Sequence, residues 1–427
     1  MENLFPAEIA LDIFSRLPAE SVLRCRLVCK TWRTLLNDTN FADIHLRRQL
    51  LQLDDAPKFH NHLDVVAGAK VGFIFLIEID DEGQLVYGEY DENDEQSYKT
   101  LTRINHPPIE AIIHDWVDSC NGLFCLSVDH NGFQDPVYIC NPITRECTNL
   151  PKFMDFKVGK SRFDYDDYLR DKNGIMVSGF GCNLSMNEYK VVRIYYADYR
   201  YRDNRVGCVQ VYTLGGGGSG WRSKGEISYK FLDRQGVFIN GALHWLEGTG
   251  KIVAFDLADE KFRVLPAPPF LDDKMVLVSQ LHVLGGCLCI FHYIEASESI
   301  HIWSFKKKKT SCYDDSSNKE EEEYYKSWSW SYEFSMNIDM GYRLVYEHCP
   351  SALMKKGRVL LSLGFSNQIS SLASYDRKTG TVEKLMDCFE EGSFCRKTIH
   401  MNSFVSLKSL GEDAKIIGSV EMGGGEE

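Results

Sequence analysis

The sequence predicts a mainly β protein with a small all-α module at its N-terminus. Three observations lead there. Helical periodicity is confined to the stretch from Phe5 to Leu53. From about Val65 the texture changes to short runs of Val, Ile, Phe and Tyr separated by Gly, Asn and Asp, the pattern of many short antiparallel strands. Those runs recur along the chain as copies of one hairpin unit.

In the first stretch, Phe5, Ile9, Ile13 and Leu17 recur every four residues, and Leu11 and Phe14 widen the stripe, so the first helix is apolar over more than a narrow face. Pro18 ends it. A second helical run carries Val22, Leu23 and Leu27, and a third carries Val28, Trp32, Leu35 and Leu36. Three short helices with this much apolar surface are marginal unless something covers them. Each large side chain withheld from water contributes ~1.5–3 kcal/mol, so the cover is either a partner or the rest of the same chain. After Phe41, residues 44–53 form an amphipathic linking helix, and residues 54–62 read as a tether.

The β region repeats. Asn141, Thr144, Cys147 and Leu150 have the spacing of Asp256, Asp259, Phe262 and Leu265, and of Asp376, Thr379, Val382 and Leu385. In each copy an apolar run ends at an Asx residue able to cap a turn, and a strand returns to a Leu, which makes a hairpin. Upstream stand Asn121-Gly122, Asn240-Gly241, Gly285-Gly286 and Lys356-Gly357, turn pairs suited to positive φ that lead into central buried strands. Degraded copies at residues 85–101, 209–221 and 301–328 bring the total to about six four-stranded units, the period of β-propeller blades. Residues 399–407 would close the ring against the first blade. A β-sandwich of the same hairpins is the alternative.

The segments are therefore 1–45 (helical module), 46–64 (linking helix and tether), 65–410 (β domain) and 411–427 (flexible tail). A formal net charge of −13 argues against nucleic-acid or anionic-membrane binding through a basic surface. No apolar run reaches the ~18–20 residues of a membrane span, and Met1-Glu2-Asn3 does not begin a secretory signal, so the cytosol or nucleus is expected. The 14 cysteines include no Cys-x-x-Cys pair, and Cys120, Cys125, Cys140, Cys287 and Cys289 read as small apolar strand residues. No metal or cofactor is expected.

Phe5, Pro6, Glu8, Leu17, Pro18, Leu23, Arg24, Val28, Cys29, Lys30 and Trp32 follow one another in an order and spacing that resembles an F-box. Phe5 stands where Leu is usual, and Thr39 where Pro often precedes the closing Phe41. In the β region, Ser119-Cys120-Asn121-Gly122-Leu123, Asn141-Pro142, Gly179-Phe180-Gly181, Tyr189-Lys190-Val191-Val192, residues 240–245, Gly285-Gly286-Cys287-Leu288 and Ser374-Tyr375-Asp376 resemble the F-box-associated domain of plant F-box proteins, a divergent relative of kelch-type propellers. The resemblance implies a non-catalytic substrate receptor of an SCF-type cullin–RING ubiquitin ligase, either degradative or a non-degradative scaffold. Its partners would be a Skp-family adaptor, through it cullin and RING subunits, and an unknown target protein. The adaptor contacts implied are Phe5, Pro6, Ile9, Ile13, Leu17, Pro18, Leu23, Val28, Cys29 and Trp32.

Other features are weaker. In residues 193–205, four arginines alternate with tyrosines, and since Arg and Tyr are enriched in binding hot spots, Arg193, Tyr196, Tyr199, Arg200, Tyr201 and Arg202 are candidate target contacts. The competing reading is a strand flank. Residues 164–171 are a second loop candidate. Residues 306–309 (lysine) and 320–323 (glutamate) read as an exposed insertion. His244 and Trp245 read as core of a blade. Gly159-Lys160-Ser161 is no phosphate loop, because Met154 occupies the first glycine position, and neither Gly-x-Ser-x-Gly nor His-Glu-x-x-His occurs. A propeller enzyme is the remote alternative.

Overall fold

The computed structural model describes residues 6–54, 70–79, 82–91, 102–104, 114–130, 133–153, 174–183, 185–196, 206–216, 220–270, 279–307, 327–337, 348–354, 357–365, 368–387 and 395–417. Phe5, the expected tether after residue 54, and Tyr199, Arg200, Tyr201 and Arg202 lie outside the described residues.

The helical module consists of α1 (Ala7–Phe14), α2 (Ala19–Cys25) and α3 (Lys30–Leu36), followed by the linking helix α4 (Thr39–Asp54). Pro6 and Pro18 each stand in extended conformation immediately before a helix, where the missing N–H is no loss because the first-turn donors have no intrahelical partner. Cys29 caps α3, its Sγ accepting from the Trp32 N–H at 3.4 Å. Asp38 Oδ1 accepts from the Asn40 N–H at 2.8 Å at the start of α4, so the linking helix begins a turn earlier than its apolar periodicity predicts.

The β region is a six-bladed propeller built from six sheets among the described residues. Blade 1 contains β1 (Lys70–Ile79), β2 (Glu82–Asp91) and β3 (Thr102–Arg103). Blade 2 contains β4 (His114–Cys120), β5 (Leu123–His130), β6 (Phe133–Asn141) and β7 (Glu146–Asn149). Blade 3 contains β8 (Ile175–Asn183), β9 (Glu188–Tyr196), β10 (Gly207–Thr213) and β11 (Arg222–Ile227). Blade 4 contains β12 (Val237–Ile239), β13 (Ala242–Leu246), β14 (Ile252–Asp256) and β15 (Phe262–Leu265). Blade 5 contains β16 (Ser279–Leu284), β17 (Cys287–Ile294), β18 (Ser299–Lys307) and β19 (Trp328–Asn337). Blade 6 contains β20 (His348–Leu353), β21 (Arg358–Phe365), β22 (Gln368–Asp376) and β23 (Val382–Asp387). Two further strands are β24 (Cys395–Ile399) and β25 (Lys415–Ile416).

Turn chemistry explains the repetition. Asn121 and Asn240 adopt φ of 52° and are followed by Gly122 at 87° and Gly241 at 77°, the left-handed pair a two-residue hairpin requires. Asn141, Asp256 and Asp376 each accept from the backbone N–H two residues on, at 2.8, 2.7 and 2.8 Å. The strands after the Asn-Gly turns, β5 and β13, carry Phe124 and Leu243 fully buried, and β21, which follows Gly357 at φ 75°, carries Leu360 fully buried.

Ring closure differs from expectation. The first blade is completed by β24, paired antiparallel to β1 with Phe75 opposite Lys397, and residues 400–407 then leave the sheet. Residues 411–417, expected in the flexible tail, are held against the propeller, and residues 418–427 lie outside the described residues. Glu412 accepts from the Gly215 N–H at 2.7 Å, and β25 pairs with the edge of β7, covering a row of unpaired backbone groups. Cys140 is no free apolar cysteine: it stands opposite Cys147 across β6 and β7 and is joined to it.

His244 and Trp245 are buried in blade 4, as their place after the turn predicts. The His244 ring bonds the Val237 carbonyl at 3.2 Å, and burial holds its pKa down at about 4. An unfolded histidine takes up a proton near pH 6.5, so stability is lost as pH falls through that value toward the folded pKa. In urea titrations, His244→Asn should lose less stability than the parent between pH 7 and 5, by about 2 kcal/mol. Equal losses would show that His244 is solvated.

A candidate partner-binding face on the helical module

The helical module divides its apolar residues in two. Phe14, Ala19, Val22, Leu36 and Phe41 are buried in one core, with Leu11, Leu17, Leu23, Trp32 and Leu35 packed around it. Phe14 and Trp32 meet edge to face at 4.7 Å and join α1 to α3. Ile9 (48% exposed), Ile13 (46%), Leu27 (75%) and Val28 (65%) stay in water, and Pro6, Pro18 and Cys29 are exposed with them. Ile9 and Ile13 are neighbours on α1 at i, i+4, while Leu27 and Val28 occupy the turn between α2 and α3.

The residues expected from sequence to contact an adaptor differ in exposure. Pro6, Ile9, Ile13, Pro18, Val28 and Cys29 are available to a partner, whereas Leu17, Leu23 and Trp32 are partly committed to the module's own core. Leu27 was missing from that set. Its apolar neighbour Val28 was the available signal, but its period assigns it to the buried side of α2.

The module rests on the propeller. Along blade 2 the antiparallel strands place the β4–β5 and β6–β7 turns on one face and the opposite ends of the same strands on the other. Ile143, in the β6–β7 turn, packs against the helical core, and Leu46 and Leu50 of α4 pack with Val117, Leu123 and Ile139 of blade 2. His45 is fully buried at this junction, its Nε2 2.9 Å from the Leu17 carbonyl oxygen, and burial lowers its pKa. The half-buried Arg48 guanidinium bonds Asp12 at 2.8 Å and ties α4 to α1.

Two of the six candidate target contacts, Arg193 and Tyr196, are a correction, the other four lying outside the described residues. Arg193 is 3% exposed on β9 and paired at 2.8 Å with Asp135 of β6, which is fully buried. Its guanidinium lies 3.8 Å from the Trp221 ring centre and 5.0 Å from that of Phe153, and burial lowers its pKa to about 10. Tyr196 is also buried, its hydroxyl donating to the Tyr229 carbonyl at 2.8 Å. Both bind blades to one another and neither offers a surface to a target. Three positions apart on β9 they point to opposite faces of the sheet, and both faces of that strand are buried, which an Arg-Tyr composition does not reveal.

Among the described residues no group of three or more His, Cys, Asp or Glu is placed to hold a metal ion. Comparison with known proteins decides what the helical face belongs to. Residues 3–47 match the F-box-like family, and residues 73–328, more than half of the chain, match the F-box associated beta propeller domain. The chain is a plant F-box protein with a C-terminal F-box-associated domain. Among its relatives, F-box protein At3g07870 of Arabidopsis thaliana is 29% identical over 333 residues, covering 72% of this chain and 70% of the relative. F-box protein CPR1 of the same plant is 27% identical over 328 residues, covering 71% and 69%. In this F-box protein the family's N-terminal motif coincides with the helices that keep Ile9, Ile13, Leu27 and Val28 in water.

Proposed function

We propose that this F-box protein is the substrate receptor of an SCF-type cullin–RING ubiquitin ligase. The F-box binds a Skp-family adaptor, which joins it to cullin and RING subunits, and the propeller holds a target protein for ubiquitination and proteasomal degradation. The receptor carries out no bond chemistry. It raises the effective concentration of target lysines near the charged ubiquitin-conjugating enzyme. The cytosol or nucleus is where such a complex would work.

The exposure of Ile9, Ile13, Leu27 and Val28 carries this reading. Four large apolar side chains held in water on α1–α3 and their connections, where the other large apolar residues described are packed, ask for a partner. The F-box sits on the face of the β4–β5 and β6–β7 turns, so a target on the opposite face would meet no obstruction from the adaptor. Loops vary on a constant propeller frame, which suits that face to target choice.

Reconstitution tests the proposal. The purified chain, mixed with Skp-family adaptor, cullin, RING subunit, conjugating enzyme and ubiquitin, should form a complex and support ubiquitin transfer to a protein captured with it from proteasome-inhibited plant extract. Failure to bind the adaptor would overturn the reading. Adaptor binding without transfer would replace it with that of a scaffold.

A further inference from the structure

Residues 400–407, beyond the ring-closing strand, touch both halves of the protein through different side chains. Toward the helices, Asn402 Nδ2 donates to Glu20 Oε1 at 2.6 Å, and Phe404 is buried in the helical core. The Phe404 ring lies 5.7 Å from Phe41 and 5.0 Å from His45, with the Arg26 guanidinium 4.3 Å from its centre. Toward the propeller, Ser403 Oγ donates to the Asn121 carbonyl at 2.6 Å, while Asn141 Nδ2 donates to the carbonyls of Ser403 at 3.2 Å and Val405 at 2.7 Å. The fit is close at Gly122, where a Cβ would collide with Ser403 Oγ. Side chains at 402 and 404 thus grip the F-box, and those at 403 and 405 grip blade 2.

A hinge has few buried contacts and solvent-exposed hydrogen bonds. This junction has the reverse, and it lies against the chain end of the strand that closes the ring, so F-box docking and ring closure share one segment. Resting on the receptor reading above, we infer that residues 402–405 are a positioning element: they set the direction in which the F-box presents the ligase to whatever the propeller holds. Which lysine receives ubiquitin is a matter of geometry, and a displacement of this axis would redirect transfer without altering either binding site.

The test compares the full-length chain with Asn402→Ala/Phe404→Ala and with Phe404→Leu, which keeps a large apolar side chain in the same place. Small-angle scattering and amide exchange on each chain alone report whether the F-box still sits on blade 2. Autoubiquitination in the reconstituted ligase, with the modified propeller lysines mapped by mass spectrometry, reports the direction of transfer. In the double variant the scattering distribution should broaden and ubiquitin should spread over more lysines, with adaptor affinity unchanged within about threefold. Phe404→Leu should keep the parental lysine pattern. An unchanged pattern in a variant whose scattering has broadened would overturn the inference. So would adaptor affinity lost together with amide protection throughout α1–α3, since the strap would then only complete the helical core. If the unaltered chain fails to bind adaptor, the receptor reading fails, and unbroadened scattering in the double variant would separately overturn the strap.

Discussion

Ile9→Asp combined with Val28→Asp should weaken binding of a Skp-family adaptor by about a hundredfold or more, roughly 3 kcal/mol, while leaving the melting temperature close to that of the parent. Both side chains are about half exposed or more and contribute little to the module's core. Ile9 lies in the first turn of α1, and Val28 immediately precedes the cap of α3, so each new carboxylate falls near a helix N-terminus, where negative charge is favourable. The cost appears on binding, when a charge must be desolvated in an apolar interface. Titration calorimetry with purified adaptor checks this, and retained affinity would remove these residues from the interface. Leu17→Asp is a poorer probe. Leu17 packs against the helical core and its carbonyl bonds His45, so that variant would lose binding by unfolding the module.

Asp135→Ala should lower the unfolding free energy by about 3–5 kcal/mol in urea titrations, because it leaves the Arg193 charge buried without its carboxylate. Gln210 accepts from Arg193 Nε at 2.8 Å, and the flanking rings of Trp221 and Phe153 offer only their faces. The Phe153 N–H also loses its acceptor, Asp135 Oδ2 at 2.6 Å. Replacing both partners, Asp135→Ala with Arg193→Met, should cost less than the single change, since no charge is then stranded. A single-variant loss of about 1 kcal/mol or less would mean that water reaches the pair.

These two outcomes mark the boundary between what was legible in the chain and what was not. The blades could be read from residues 121–122, 141–144, 240–241, 256–259, 357 and 376–379 because turn chemistry is local. A left-handed pair or an Asx cap is set by a few adjacent residues, and its recurrence counts the units. The helical motif could be read for a similar reason, its prolines and apolar period lying within one short stretch.

Composition leaves Arg193 open between a target contact and a strand flank, because its burial depends on Asp135, fifty-eight positions earlier in the sequence, and on rings from two other segments. No local pattern encodes that meeting. Residues 400–407 look like one more strand by composition, but the inner edge of blade 1 is already taken by β24, and the segment instead fills the seam beneath the F-box.

By itself the sequence determined the two-part architecture, the repeated hairpin and the family, because each rests on contacts between near neighbours. Tertiary structure alone decided which apolar residues of the F-box are left for a partner, that Arg193 and Tyr196 are buried, and that the segment after the closing strand holds the F-box to the propeller. Burial is a property of the assembled chain: a side chain is covered or exposed according to what arrives from distant positions, and local sequence carries no record of that arrival.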